Sequence, residues 1–391
     1  MVKYNKIKSP TNLSGFYVAY YGSVMNEHKG IYGISHLLEH LICKGFDDLI
    51  EKFESDGITW NAFTNDSEIV FYMTGLDIFV KKWKKIFYER LTTFKITEEQ
   101  FENEKKVVIE EYKDSFNDQS EWHRQNLLRK LYGYHEAIGL LDDLKNLTLN
   151  DCYDFFEFQY RKPTMIIDIC KSNNKSLEDF FRGISYDDRV YEQFLTLFDG
   201  NYLFEKGNNY KNKTSIINIS EIIKDDFPYI DFITKMLGNG LKSPLYQEIR
   251  EKNGLVYYVH CYQRIMTNIS SLVFFETVTS NNNVEKVQEL FKMILDNPHK
   301  YLTRKRFNII KKYYKIKFKK ENILLHNNGY KYIQQEKFSV ENIINEVTYE
   351  KIMEIYHKYF DFNKYYKSID KKEFDGVKLP VLITKPATDI K

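Results

Sequence analysis

The sequence predicts an α+β fold in two tandem, similar domains, each mixing hairpin-like strands with flanking helices in a crude internal duplication. Three observations carry this expectation. Short apolar runs come in hairpin-like pairs, longer stretches repeat their apolar residues at helical spacing, and the same mixture stands on both sides of a polar region near 172–212. A chain of 391 residues is too long for one ordinary core. The polar region, rich in Asn, Asp, Ser, Lys and Gly, therefore reads as the boundary between domains 1–190 and 191–391.

The elements follow in order. Residues 16–22 (Phe-Tyr-Val-Ala-Tyr-Tyr-Gly) read as a strand leading through a turn into a helix over Gly33-Ile-Ser-His-Leu-Leu-Glu-His-Leu-Ile-Cys-Lys-Gly45, with Gly45 as its stop. A short helix to about residue 55 and an Asp56-Gly57 turn come next. Residues 58–64 and 69–74 are two strands joined by the polar Asn65-Asp66-Ser67-Glu68. Residues 77–91 have helical periodicity, and Thr97-Glu98-Glu99-Gln100 is a capping box announcing a long helix. A helix over 144–160 and an apolar strand over 165–170 close the first half. In the second, a strand near 215–219 leads into helix, Gly238-Asn239-Gly240 turn, helix, two strands and a helix to about 297. The remainder reads as helical, with a last strand near 365–369.

Composition narrows the function. Lys and Arg total 57 against 55 for Asp and Glu, a net charge of +2, so bulk charge favours neither nucleic acid nor a membrane surface as partner. The basic run from Arg304 to Lys320 reads as a solvated helix face whose lysines snorkel. No signal core, transit pattern or membrane-length apolar run is visible, and Cys43, Cys152, Cys170 and Cys261 lack metal or disulfide spacing. The expected setting is a reducing, cytoplasmic one.

The first helix carries the chemistry. At about 100° per residue, His36 and His40 lie roughly 40° apart and Glu39 about 60° to the other side of His36, while Leu37, Leu38, Leu41 and Ile42 face the opposite way. Two imidazoles at i and i+4 can grip one metal ion, and a carboxylate beside them can take a proton from water. This is the H-x-x-E-H order, the inverse of the commoner zinc-peptidase motif. A third ligand is needed. On the capping-box helix Glu104 and Glu111, seven residues apart, share a face to within about 20°, and Glu111 is the candidate a second packed helix could bring in.

With the inverted motif, the capping-box helix and the duplicated layout, the chain resembles the pitrilysin and insulysin family of zinc peptidases, which includes the mitochondrial processing peptidase and its bacterial relatives. The likeness covers nearly the whole chain. Gly-Ser-x-x-x-Glu at Gly22 to Glu27 and the His36 to His40 motif are similar to that family's zinc helix, and Glu104-Lys-Lys-Val-Val-Ile-Glu-Glu111 to its paired-Glu helix. The resemblance implies a processing-peptidase-like metallohydrolase fold, each domain an antiparallel sheet flanked by helices, with one Zn²⁺ per chain. His36, His40 and Glu111 would be the ligands, Glu104 would support them from behind, and Glu39 would be the general base; Glu110 is a rival ligand about 100° off the face. Asn61-Ala62-Phe63-Thr64 is similar to the substrate-side edge strand, which implies that Asn61, Ala62 and Phe63 bind an extended peptide. Ser243-Pro-Leu-Tyr-Gln-Glu-Ile-Arg250-Glu-Lys-Asn-Gly254-Leu-Val-Tyr257 resembles the second signature, which assigns Arg250 and Tyr257 to the substrate and the developing oxyanion.

The activity so implied is zinc-dependent endopeptidase action on extended peptides or unfolded protein segments. A non-catalytic assembly subunit of the same fold is the alternative. A homodimer is the expected partner arrangement, since one copy holds half the domains of the larger family members. Three departures bear on substrate preference: a shorter N-terminal strand, Ser67 and Ile69 in place of the usual Glu and Thr, and no family signature between the domains.

Overall fold

The computed structural model describes residues 3–65, 67–115, 118–132, 135–189, 202–206, 213–223, 226–266, 270–323 and 340–371. Contacts divide the chain into two units. The first is made of residues 1–115, 135–193 and 315–337, and the second of 116–134, 194–314 and 338–391.

The first unit contains strands β1 (Tyr4–Lys8), β2 (Leu13–Tyr21), β3 (Thr59–Thr64), β4 (Glu68–Leu76) and β5 (Met165–Cys170) in the order β1-β5-β2-β4-β3. β2 pairs antiparallel with β4, from Leu13↔Leu76 to Tyr21↔Glu68, and β1 pairs parallel with β5. β2 and β5 are apolar almost throughout because both faces are covered, as a central strand requires. Phe16, Val18, Tyr20 and Phe71 point into the larger core, and Tyr17, Ala19, Val70 and Ile167 into a smaller one on the opposite face.

Over the larger core lie α1 (Ile34–Lys44), α2 (Ile50–Ser55), α3 (Asp77–Leu91), α4 (Glu98–Ser115) and α7 (Leu149–Gln159). α1 buries Leu37, Leu38, Leu41 and Ile42, the face that the wheel assigns to the core. At the start of α4 the Thr97 hydroxyl accepts from Gln100 N at 3.2 Å and Thr97 N donates to the Gln100 side chain at 3.0 Å, which is the capping box read from sequence. The helix expected over 144–160 is two: α6 (Leu141–Asn146) ends before Thr148, whose extended backbone caps α7 in a reciprocal bond with Asp151. The short N-terminal strand, expected without bounds before Phe16, is β1, whereas α5 (Gln119–Tyr132) was not anticipated.

The second unit repeats the topology. β6 (Tyr202–Lys206), β7 (Lys213–Ile223), β8 (Val256–Ile265), β9 (Ser270–Ser280) and β10 (Tyr366–Lys371) lie in the order β6-β10-β7-β9-β8, with β6 and β10 parallel. Each strand thus takes the place of its counterpart five numbers earlier. α9 (Phe227–Gly238) packs closely on β8, where a Cβ at Gly238 would lie 3.0 Å from the Cys261 Cβ. Whereas the sequence places one cut near residue 190, α5 groups with the second unit, its buried His123 lying between the hydroxyls of Ser215 (2.9 Å) and Ser368 (2.6 Å). The polar region 172–212 includes α8 (Lys175–Gly183) and β6. Residues 190–201 and 207–212 of it, Asp66 of the hairpin, and 324–339 and 372–391 of the expected helical remainder lie outside the described residues. Among the described residues no helix is long and apolar enough to cross a membrane.

Candidate metal centre

The rotational setting of α1 is fixed at its first turn. Gly33 has φ +98°, which suits glycine, and its amide donates to Glu27 Oε2 at 2.8 Å, while Ser35 N donates to Glu27 Oε1 at 2.9 Å. Asp143 Oδ2 accepts from Gly30 N at 3.0 Å and Tyr32 N at 3.2 Å. Gly139 packs so closely that a Cβ on it would lie 2.4 Å from the Gly33 Cα. Burial raises the Glu27 carboxyl to about 7, against the two backbone donors that pull it down.

With the leucine face buried, the polar edge meets α4. Glu111 Oε2 lies 3.6 Å from His36 Nε2 and 3.7 Å from His40 Nε2, and the three residues offer ligand atoms all within 4.8 Å of one another. Corners of a tetrahedron with zinc–ligand bonds near 2.0–2.1 Å stand about 3.4 Å apart. The donor set, two imidazole nitrogens and one carboxylate oxygen, therefore fits zinc in both chemistry and spacing. Burial, and then the neighbouring His40, push the His36 imidazolium down to about 4, so the ring keeps its lone pair at neutral pH.

Two further carboxylates stand behind and beside this set. His40 Nδ1 lies 3.3 Å from Glu104 Oε2, a carboxylate placed to accept a ring proton from Nδ1, while Nε2 is turned to Glu111. The other Glu104 oxygen is 3.2 Å from Lys44 Nζ, and that contact raises the Lys44 ammonium above its ordinary value. Glu39 accepts from the Thr64 hydroxyl at 2.6 Å. Burial raises the Glu39 carboxyl, Thr64 and His40 pull it down, and Glu111 adds to the rise. Glu110, the rival ligand, instead pairs with Lys113 at 2.5 Å on an exposed face of α4.

The structure brings together His36, Glu39, His40, Glu104 and Glu111. Asn61, Ala62 and Phe63 lie on β3, the edge strand of the same sheet, with Asn61 exposed. In the second unit the helix expected from Ser243 has a π-helical stretch, Tyr246–Glu251. From it the Arg250 guanidinium stacks 4.7 Å over the Tyr246 ring and 5.1 Å over that of Tyr257, which is 80% exposed. Sequence reasoning missed the parts played by Lys44, Thr64, Glu27 and Asp143. Lys44, four residues after His40, and Thr64, inside the edge-strand motif, carried a spacing signal; Asp143 carried none.

The chain is similar to known proteins over most of its length. Residues 8–143 match the family model for Insulinase (Peptidase family M16), and residues 176–314 match the Peptidase M16 inactive domain. An uncharacterized zinc protease of Rickettsia felis is 24% identical over 361 residues, covering 84% of this chain and 85% of that protein. The zinc protease PqqE of Helicobacter pylori is 22% identical over 311 residues, covering 69% of this chain and 66% of the relative. In fold, the chain is similar to a crystal structure of a protease from Helicobacter pylori, with TM-score 0.75, 19% identity and coverage of 94% and 96%. It is also similar to a chain of Complex III2 from Candida albicans, with TM-score 0.73, 11% identity and coverage of 94% and 93%.

Proposed function

The chain belongs to the insulinase family, peptidase family M16, and from that premise we propose that it is a zinc metalloendopeptidase acting on extended peptides or unfolded protein segments. The observation that carries the reading is the convergence of the His36, His40 and Glu111 ligand atoms within 4.8 Å beside the Glu39 carboxylate. In this reading those three residues hold one Zn²⁺ per chain. When bound, the ion supplies Lewis acidity and lowers the pKa of a water to about 7.

The chain's own groups do the rest. Glu39 accepts the proton of the attacking water and returns it to the leaving amine, a role its burial favours by raising its basicity. Glu104 holds His40 in the tautomer that presents Nε2. An extended peptide adds to the exposed edge of β3 by backbone hydrogen bonds, with Asn61, Ala62 and Phe63 beside it. Arg250 and Tyr257 donate to the developing oxyanion, and a homodimer lets the pair of one copy serve the site of the other.

Chelator-treated protein should lose cleavage of an unfolded protein and regain it on addition of one equivalent of zinc. For the dimer, inactive Glu39→Gln and Arg250→Ala/Tyr257→Phe proteins mixed under subunit exchange should recover about a quarter to a half of wild-type activity. No recovery despite exchange would remove the trans arrangement. The second reading, a non-catalytic assembly subunit, draws support from the inactive-domain match and the fold likeness to Complex III2. Under it zinc addition changes no cleavage at all.

A further inference from the structure

We propose that Thr64 positions the Glu39 carboxylate and so ties the base to the strand that receives substrate; the inference rests on the peptidase reading above. The Thr64 hydroxyl donates to Glu39 Oε2 at 2.6 Å, and among the described residues Glu39 makes no other hydrogen bond. A carboxylate at the end of a two-carbon stem turns broadly about its last torsion. Holding one oxygen fixes the plane of the other, so Oε1 is left as the acceptor for a proton.

The donor is itself fixed. Thr64 is the last residue of β3 and pairs with Ile69 of β4. Immediately after it Asn65, Ser67 and Glu68 of the turn are tied together: Asn65 N donates to Glu68 O at 2.9 Å, and Asn65 Oδ1 accepts from Ser67 N at 3.0 Å and Glu68 N at 2.9 Å. Gly22 N donates to Ser67 O at 2.8 Å and the Ser23 hydroxyl to Asn65 O at 2.7 Å, which ties the turn to the chain that leads into α1. The β-branched threonine has few χ1 rotamers and suits a strand. The position of its hydroxyl therefore follows that of β3, the strand whose open edge faces an incoming peptide. The strand that receives a peptide thereby also holds the base in place before the peptide arrives.

The test compares zinc-loaded wild type, Thr64→Val, Thr64→Ser and Glu39→Gln on one unstructured peptide. Valine keeps the shape and strand preference of threonine and removes only the donor. Thr64→Val should lower kcat about ten- to a hundredfold, the effect of losing a hydrogen bond to a charged group, with KM and zinc content within about twofold of wild type. Thr64→Ser should restore most of kcat. A thermal double-mutant cycle between Thr64→Val and Glu39→Ala should be non-additive, a readout that needs no turnover. A Thr64→Val protein with wild-type kcat, a serine variant as slow as valine, zinc loss in step with kcat, or an additive cycle would each overturn the proposal. A zinc-loaded wild type as inert as Glu39→Gln is a different failure: it removes the peptidase reading, and the role of Thr64 with it.

Discussion

The same place in the same topology holds two unlike helices. Between β2 and β3 of the first unit lies α1, with an apolar face and an edge of His36, Glu39 and His40; between β7 and β8 of the second lies α9, with Phe227, Ile230, Phe232, Ile233, Met236 and Leu237 buried. The long helices that follow differ too. α4 brings Glu104 and Glu111, seven and fourteen residues after its Thr97 cap, to the site, whereas the helix Arg304–Ile323 has Ile310 and Lys317 at the same distances from Thr303. Even the N-caps repeat, Thr148 in one unit and Thr348 in the other. One scaffold was thus kept twice while a few positions on two helices decide which copy can hold a metal. Among the described residues the one metal-capable group lies in the first unit.

That contrast can be broken in four ways. The largest effect belongs to the second unit's contribution to the reaction: Arg250→Ala should cut kcat about 10²- to 10³-fold, the range for loss of an oxyanion donor, with zinc content unchanged. Unchanged kcat would leave the second unit as scaffold alone. Metal removal should act on the first unit only. Stripping zinc present at about a thousand times its Kd should cost on the order of 4 kcal/mol, with hydrogen exchange rising in α1 and α4 but not in α9 or β8. Equal exposure of both units would contradict the asymmetry.

Smaller is the effect of Lys44→Met, which takes the partner from Glu104 and should weaken zinc about tenfold in a chelator competition, with Lys44→Arg near wild type. The smallest concerns Glu27. Its carboxyl is raised from 4.5 to about 7 in the fold, so the native chain keeps a proton that the unfolded chain has released, and the stabilisation present below pH 4.5 is lost as pH rises through 7. Stability should therefore fall across pH 5 to 7, and in Glu27→Gln that slope should flatten by about one proton. An identical slope in the variant would mean that Glu27 does not titrate there.

What the sequence made legible was local. α3 begins and ends where its period does, and the His36, Glu39, His40 face needs only the pitch of one helix. The break between α6 and α7 was hidden because Leu144, Leu147 and Phe155 keep helical spacing through Thr148, whose role as a cap depends on one backbone turn. The bounds of β1 were not legible in five residues with two lysines, held by parallel pairing to β5 far along the chain. The same limit applied at the site. Lys44 and Thr64 stood within the motifs, but their partners, Glu104 and Glu39, were sixty and twenty-five positions away. Only the packing of α1 against α4 and β3 brings them into contact.

The central claim is that the first unit's residues hold a zinc ion beside a working base, and one paired measurement tests it most directly. Wild type and Glu39→Gln, each analysed for metal content, are given the same unfolded protein substrate. The account predicts about one zinc in each, and turnover in the variant lower by at least about 10²-fold. Equal cleavage by both proteins, or zinc in neither, would contradict it.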